Sequence, residues 1–320
     1  MVKDIAVCVE CKDGSIRKVS LELLSKAGEM APSVYAILLG HGIKGVAEEL
    51  RPFAHKVILV DHVDLEDYRF DTYASALTGI ITKLSPDLVF GASTTTGKDL
   101  FPRLAARLKT AFIADAVGIE YEGEDVKVKK PLFGGRIISW KGVRGTPLIT
   151  FRPNSFAIEK RDLQGEIIEE TVPIEKDPRL TLIASEKDTA KKVDLQEADF
   201  IICGGRGMKG PEHFTLLEDI AVLMNGRVGA SRAVVDNKWR PYDDQIGKSG
   251  RTVSPKIYIG CGVSGALHHT MGMDTSKMII AINKDPTAPI FAVADYGIVD
   301  DLFVILPLLK AELEKAKKEQ

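Results

Sequence analysis

Two adjacent histidines, His268 and His269, follow a glycine-rich turn, Gly262-Val-Ser-Gly265, and that turn follows an apolar run, Lys256-Ile-Tyr-Ile-Gly-Cys261. In a strand, glycine turn and helix start, backbone N–H groups without a helical partner point at an anion, and glycine lets it approach the main chain. The pattern predicts phosphate binding at Ser264 and Gly265. A second cluster, Gly204-Gly-Arg-Gly207, follows Phe200-Ile-Ile-Cys203 and adds a cation in Arg206. By itself this cluster is weak, because glycine there can serve a tight turn alone. Further polar and cationic groups lie in Arg227-Val-Gly-Ala-Ser-Arg232 and Asp243-Asp-Gln-Ile-Gly-Lys-Ser-Gly250. Cys8 and Cys11 have the spacing of redox and metal motifs, but no second pair or nearby histidine completes a zinc set. Cys203 and Cys261, each beside glycine at a strand end, read as small buried side chains.

These groups need a sheet to hold them. Beyond the histidines come Met278-Ile-Ile-Ala-Ile282, a loop Asn283-Lys-Asp-Pro-Thr-Ala-Pro289, a third run Ile290-Phe-Ala-Val-Ala294, and Asp295 to Asp301. The three runs, starting at Lys256, predict three strands of one nucleotide-binding sheet. A helix is expected from about Glu212 to Asn225. The first half alternates apolar runs at Ile5–Val9, Val34–Leu39, Val57–Val60 and Leu88–Phe90 with helix-period segments at Val19–Met30, Val46–Leu50, Tyr73–Leu84 and up to Leu108. Strands this apolar are covered on both faces, as in a parallel sheet between helices. The loop Gly91-Ala-Ser-Thr-Thr-Thr-Gly97 has the hydroxyls to hold a phosphate, but helix capping is the simpler reading.

From Ala116 to Phe156 short β-like pieces, Val117–Tyr121, Val126–Val128, Arg136–Trp140 and Leu148–Phe151, alternate with glycines at 123, 134, 135, 142 and 145. They read as a small antiparallel extension of the first domain that forms a subunit contact surface. The charged stretch from Glu159 to Asp194 reads as the crossing between domains, with at most two strands. A boundary near Lys192 divides the chain into an N-terminal α/β domain, 1–192, and a C-terminal doubly wound domain, 193–320.

Hydrophobic residues at 45% and charged residues at 28% are globular values, and a net charge of −2 without a basic stripe excludes an electrostatic nucleic-acid binder. No apolar run has the length of a membrane span. The first strand begins almost at the N-terminus, which predicts no targeting segment and a cytoplasmic protein.

Six ordered blocks resemble the alpha subunit of electron transfer flavoprotein: Gly204-Gly-Arg-Gly207, Val228-Gly-Ala-Ser-Arg-Ala233, Gln245-Ile-Gly-Lys-Ser-Gly250, Tyr258-Ile-Gly-Cys-Gly-Val-Ser-Gly-Ala266, Asn283-Lys-Asp-Pro-Thr-Ala-Pro-Ile-Phe291 and Ala294-Asp-Tyr-Gly-Ile-Val299. Looser patterns, from Asp13 to Leu24 and at Arg152-Pro-Asn-Ser-Phe156, extend the likeness to the N-terminal half. The resemblance implies that the C-terminal domain holds FAD at an interface with a beta subunit. The heterodimer would pass electrons from flavin dehydrogenases, such as acyl-CoA dehydrogenases, to an acceptor. An NADH-oxidising, electron-bifurcating variant needs a second FAD furnished largely by the beta subunit.

The resemblance also implies residue roles. Arg206, Ser231, Ser264 and Gly265 would hold the pyrophosphate, and Asn283, Asp301 and Leu302 the ADP half; an acid ahead of Leu302 can also serve the helix alone. A flavin that takes up an electron gains negative charge around N1 and O2 and changes its hydrogen bonding at N5, so fixed donors and positive charge matter there. Arg232 would supply the charge, Ser249 the N5 edge and His269 the O2 contact, with Gln245, Ile246, Gly247 and Lys248 shaping the loop. His268 and Lys248 stand where glutamine is common in the family and are left without a role at the ring. The competing reading is a regulatory or scaffold protein that binds AMP or ATP without redox work; it would not require Arg232 or the 245–249 segment. A pyridine-nucleotide dehydrogenase is disfavoured, since no glycine run gives G-x-G-x-x-G with an acid on the next strand.

Overall fold

The computed structural model describes residues 2–122, 125–133, 135, 137–142, 144–185 and 194–318. The chain divides into two compact units, Met1–Pro131 with Ile138–Thr189, and Leu132–Ile137 with Ala190–Gln320. The expected boundary at Lys192, like Gly123, Gly134 and Arg136, lies outside the described residues. No helix among the described residues is long and apolar enough to cross a membrane.

Besides a two-residue antiparallel ladder of Cys11–Lys12 with Ser15–Ile16, the strands of the first unit are β1 (Asp4–Val9), β2 (Ser33–Gly40), β3 (Lys56–Asp61), β4 (Leu88–Ala92), β5 (Phe112–Ala116), β6 (Gly118–Glu122), β7 (Asp125–Leu132), β8 (Ile137–Gly142), β9 (Leu148–Phe151) and β10 (Glu166–Glu169). Seven form one sheet, in the order β10-β3-β2-β1-β4-β9-β5, with every neighbouring pair parallel. Helices α1 (Lys18–Met30), α2 (Lys44–Glu48), α3 (Phe70–Leu84) and α4 (Thr95–Leu108) cover it. Successive β1 residues serve opposite layers: Ile5 and Val7 pack with Leu23 and Leu24 of α1, Ala6 and Cys8 with Leu77 of α3 and Leu100 of α4. The hydroxyl-rich loop after β4 is a cap, because Thr94 Oγ accepts the Gly97 N–H at 3.0 Å and donates to the Glu10 carboxylate at 2.6 Å. Burial, with Glu10 adding to it, pushes the Cys8 thiol up to about 12 and keeps it protonated.

Three expectations are corrected here. Leu148–Phe151 does not belong to the antiparallel extension; it runs between β4 and β5 in the parallel sheet, and all four of its residues are buried. Such an unbroken buried run suits a strand covered on both faces better than a hairpin with a wet side. The extension is β6, β7 and β8 alone, with β6 and β7 antiparallel. The stretch from Glu159 is not simply a crossing either, since β10 pairs with β3 as the outer strand of the first sheet. Finally, Ile290–Ala294 is not a strand: Pro289–Ala292 is a 3-10 turn with proline in its first positions, and the pairing strand is Tyr296–Ile298. Proline lacks the N–H that a strand ladder requires but fits the start of a helical turn.

The second unit holds β11 (Phe200–Gly204), β12 (Arg227–Ala230), β13 (Ile257–Cys261), β14 (Ile279–Ile282) and β15 (Tyr296–Ile298), in the order β12-β11-β13-β14-β15 and parallel throughout. One face packs on α5 (Phe214–Leu223) and α8 (Leu302–Lys318), through Phe214, Leu217, Ile220, Leu302 and Leu306. The other face, with Ile201, Cys203 and Tyr258, is roofed mainly by loop residues, among them Ile246, Val253, Val263 and Met273. This follows from the shortness of α6 (Arg232–Asp236) and α7 (Leu267–Thr270). After β12 the chain recrosses β11 to reach β13, so the strand order reverses between β11 and β13. Ligands of open α/β sheets bind beyond the carboxyl ends of the strands at such a reversal.

Candidate functional site

At that reversal the two glycine loops press together. The Gly205 N–H donates to Cys261 O at 2.9 Å and the Gly207 N–H to Gly262 O at 3.1 Å. A Cβ at Gly205 would lie 2.2 Å from Gly262 O, which no side chain tolerates. The G-G-R-G cluster therefore serves a close backbone approach, and it leaves Arg206 exposed on the carboxyl edge of the sheet. Ser231 follows β12 on the same edge and donates its N–H to Gly204 O at 3.0 Å. It occupies the cap position of α6, yet its hydroxyl makes no capping bond. Arg232 next to it is exposed, with Nε 3.3 Å from Asp236 Oδ2.

Residues 245–251 form a folded loop beside the end of β12. The Ile246 N–H donates to Ala230 O at 2.9 Å and the Gly247 N–H to Arg251 O at 3.2 Å. Gln245 is buried and donates from Nε2 to Ser249 Oγ at 3.1 Å, so a residue expected to shape the loop is coupled to the one expected at the N5 edge. Tyr242 donates to Ser249 O at 2.7 Å, and Lys248 donates its N–H to His268 O at 2.7 Å. The loop thus leans on the histidine turn, with the Ser249 and Lys248 side chains outward.

Of the paired histidines, His269 points inward and His268 is exposed. His269 Nε2 lies 2.7 Å from Tyr258 Oη. Its Nδ1 is buried beside the Ile246 carbonyl without a hydrogen bond of ordinary geometry. Burial pulls its pKa down to about 4, against a small opposing effect of the Ile246 carbonyl, so the ring is neutral at pH 7. His269 is thus a neutral imidazole rather than a cation. Tyr258, fully buried in β13, is not among the site residues expected from sequence; its neighbours Ile257 and Ile259 are apolar, so no local polar pattern marks it.

The Ser264–Gly265 turn also departs from expectation. The helix after it, α7, is a single turn that starts only at Leu267, so a helix dipole adds little there. Gly265 is instead tied to the 3-10 turn: Ile290 donates its N–H to Ser264 O at 3.0 Å. Asn283 bridges two loops, donating from Nδ2 to Val263 O at 3.0 Å and accepting the Asp285 N–H on Oδ1 at 3.0 Å. Asp301 does serve the helix, because its Oδ1 accepts the Phe303 N–H at 2.9 Å at the start of α8. Leu302 is buried beside Gly262.

The carboxyl edge therefore collects the Arg206, Ser231, Arg232, Lys248, Ser249, Ser264, Asn283 and Asp301 positions. Its uncommitted polar atoms, the Ser231 hydroxyl and His269 Nδ1 above all, fit an extended cofactor with an anionic middle and a carbonyl-bearing ring. Arg206 and Lys248 pair with no carboxylate among the described residues, so their charge is available to a diphosphate or a reduced ring. A cavity of about 360 Å³ lined by Glu10, Arg17, Tyr68, Leu100 and Phe101 lies in the first unit and includes none of these residues.

The comparisons agree with that chemistry. Residues 5–175 match the electron transfer flavoprotein domain, and residues 194–274 match the electron transfer flavoprotein FAD-binding domain. The chain is 38% identical over 321 residues to the electron transfer flavoprotein subunit alpha of Bacillus subtilis, covering 98% of both proteins. It is 38% identical to protein FixB of Clostridium saccharobutylicum, covering 98% of this chain and 97% of that one. It is 35% identical to the acryloyl-CoA reductase electron transfer subunit beta of Anaerotignum propionicum, covering 98% and 96%. By domains and by full-length likeness alike, the chain belongs to the electron transfer flavoprotein family as an alpha-type subunit, with FAD as its cofactor and electron transfer as its role.

Proposed function

We propose that this chain is one half of a cytoplasmic heterodimer with an electron transfer flavoprotein beta subunit, and that it takes electrons from a flavin dehydrogenase of the acyl-CoA type. The observation that carries the reading is the set of donors and cations gathered on the carboxyl edge of the second sheet. Bound FAD supplies the redox chemistry, its ring taking up and releasing electrons. Arg206, the Ser231 hydroxyl and the Ser264–Gly265 backbone hold the pyrophosphate. Arg232 places positive charge beside the ring, Ser249 meets its N5 edge, and His269 donates to the O2 carbonyl. Gln245 holds Ser249 in place, while Ile246 and Gly247 set the loop path. Asn283 keeps one amide hydrogen, and Asp301 one carboxylate oxygen, for the ADP half after their internal bonds are made. Leu302 seats the start of α8 against the Gly262 turn.

The test is an absorbance spectrum of the chain purified with its beta partner, followed by dithionite reduction and, separately, NADH. A flavin spectrum that dithionite bleaches and a flavin dehydrogenase reduces supports the carrier. Bleaching by NADH alone assigns the complex to the bifurcating kind. A colourless, folded complex that retains AMP or ATP overturns the redox reading.

The β6–β8 extension supports the partner half of the reading, because β8 exposes Ile137, Ile138 and Trp140. A tryptophan anchor contributes about 2 kcal/mol when it sits at the centre of an interface. Trp140→Ser should therefore weaken heterodimer formation roughly thirtyfold in sedimentation or titration experiments. Unchanged affinity would remove this surface from the subunit contact.

A further inference from the structure

The buried face of the second sheet contains a polar pair that the flavin contacts do not explain. Tyr258 is fully buried, and its Oη faces His269 Nε2 at 2.7 Å, while His269 Nδ1 is buried without a hydrogen-bond partner among the described residues. Two arrangements of protons are possible for a neutral imidazole. If Nε2 carries the hydrogen and donates to Tyr258, Nδ1 is left as an unpartnered lone pair, and the phenol must send its own hydrogen elsewhere. The alternatives for that hydrogen are poor: the nearest polar group is the Cys203 thiol, a weak acceptor. If the phenol donates to Nε2, Nδ1 carries the hydrogen and is the one donor left for a further acceptor. The second arrangement leaves only Nδ1–H without an internal partner, whereas the first strands both the phenol hydrogen and the Nδ1 lone pair.

We propose that Tyr258 is a positioning residue that donates its hydroxyl hydrogen to His269 Nε2, fixes the ring as the neutral Nδ1–H tautomer, and presents that N–H beneath the 246–249 loop. The step needs no movement of charge. The titratable groups packed around the pair are Cys203 on β11, Cys261 on β13 and, beyond Cys203, Asp244. Burial pushes both thiols up, Cys203 to about 12, and raises Tyr258 well above the usual phenol, with Cys203 and Cys261 adding to that rise. None of the three loses its proton at working pH, so the donor at Nε2 persists. The loop that would shape the flavin site is coupled to the same turn, because Lys248 donates its N–H to His268 O at 2.7 Å. The proposal deepens the reading of His269 as a flavin contact and rests on that reading for its role in electron transfer.

The deciding measurement is the ring ¹⁵N spectrum of His269 in the heterodimer, recorded with FAD and after its removal. The expected result is a hydrogen on Nδ1 in both states and no titration above pH 5, because Tyr258 rather than the cofactor sets the tautomer. In Tyr258→Phe the spectrum should move toward a mixture of tautomers or to Nε2–H. A wild-type ring with its hydrogen on Nε2, or a Tyr258→Phe ring that keeps Nδ1–H, would overturn the proposal. Where the phenylalanine variant does not assemble, 3-fluorotyrosine at position 258 provides a stronger donor. It should shift the Nε2 resonance, and an unmoved resonance counts against the bond. The midpoint potential of the flavin separates the two layers. A released tautomer with a changed potential supports both, and a released tautomer with an unchanged potential keeps Tyr258 as the anchor but removes His269 from the ring.

Discussion

Gly265→Ala will strip the chain of most of its FAD and lower the melting temperature of the C-terminal unit, whereas Gly45→Ala will do neither. A Cβ at Gly265 would lie 2.3 Å from the Ile290 nitrogen and 2.4 Å from its Cα, and the residue holds φ at +77. Left-handed backbone costs an ordinary residue roughly 1–2 kcal/mol, and forcing a methyl against main chain costs about 1–3 kcal/mol more. Neither neighbour is a flexible side-chain end, so the Ser264 to Ile290 bond must give way. That bond joins the turn after β13 to the turn that roofs the sheet. A loss of about 2–5 kcal/mol is a large share of a domain's stability of about 5–15 kcal/mol, and it corresponds to roughly thirtyfold or more in FAD affinity if it falls on the bound geometry. Gly45 lies within α2 with open space at its Cβ, and alanine there should be neutral or stabilising by about 0.5–1 kcal/mol. Flavin content per chain and calorimetric melting check both. Full flavin and a wild-type melting curve for Gly265→Ala would show that the turn yields without reorganising the site.

Arg232→Ala should retain FAD yet lower the midpoint potential of the flavin. A reduced ring carries more negative charge than an oxidised one, so a nearby cation favours reduction. Two unit charges about 4 Å apart interact by about 1 kcal/mol in water and about 4 kcal/mol near a protein surface. At about 59 mV per tenfold change for one electron, that span is about 40–170 mV. The structure argues for the lower end, because Arg232 is exposed and shares its charge with Asp236 at 3.3 Å. The same pair supplies a control of opposite sign: Asp236→Asn releases the guanidinium and should raise the potential. A redox titration in which neither variant moves the potential would take Arg232 away from the ring. Movement of Asp236→Asn alone would assign the effect to the carboxylate.

Much of the architecture is legible in the strands. Continuous apolar runs at Ile5–Val9, Val34–Leu39, Val57–Val60 and Phe200–Cys203 all lie within buried parallel strands, because covering both faces removes the polar alternation that an exposed face demands. The same rule applied to Leu148–Phe151 would have placed it in the parallel sheet, but the glycines around it drew the reading toward hairpins. Ile290–Ala294 misled for the opposite reason, since its apolar side chains pack under the Gly265 turn as a 3-10 turn rather than in a ladder. Periodicity cannot separate these cases in runs of four or five residues.

For the site, residue types and order determined the family, the FAD-binding unit and the positions at the carboxyl edge. The glycines could be recognised because they occur as fixed blocks, and His269 because it follows one of them. Which neighbours those residues acquire was decided by tertiary structure. Gly205 meets Gly262, Asn283 meets Val263, and His269 meets Tyr258, across separations of 57, 20 and 11 residues that no local pattern encodes. Folding also set the electrostatic state: a histidine at the surface would titrate near neutrality, and the same residue under the 245–251 loop is held neutral down to about 4. Residue identity determined which groups were present, and the packing that removes water from around them decided which carry charge, which donate, and which only hold another in place.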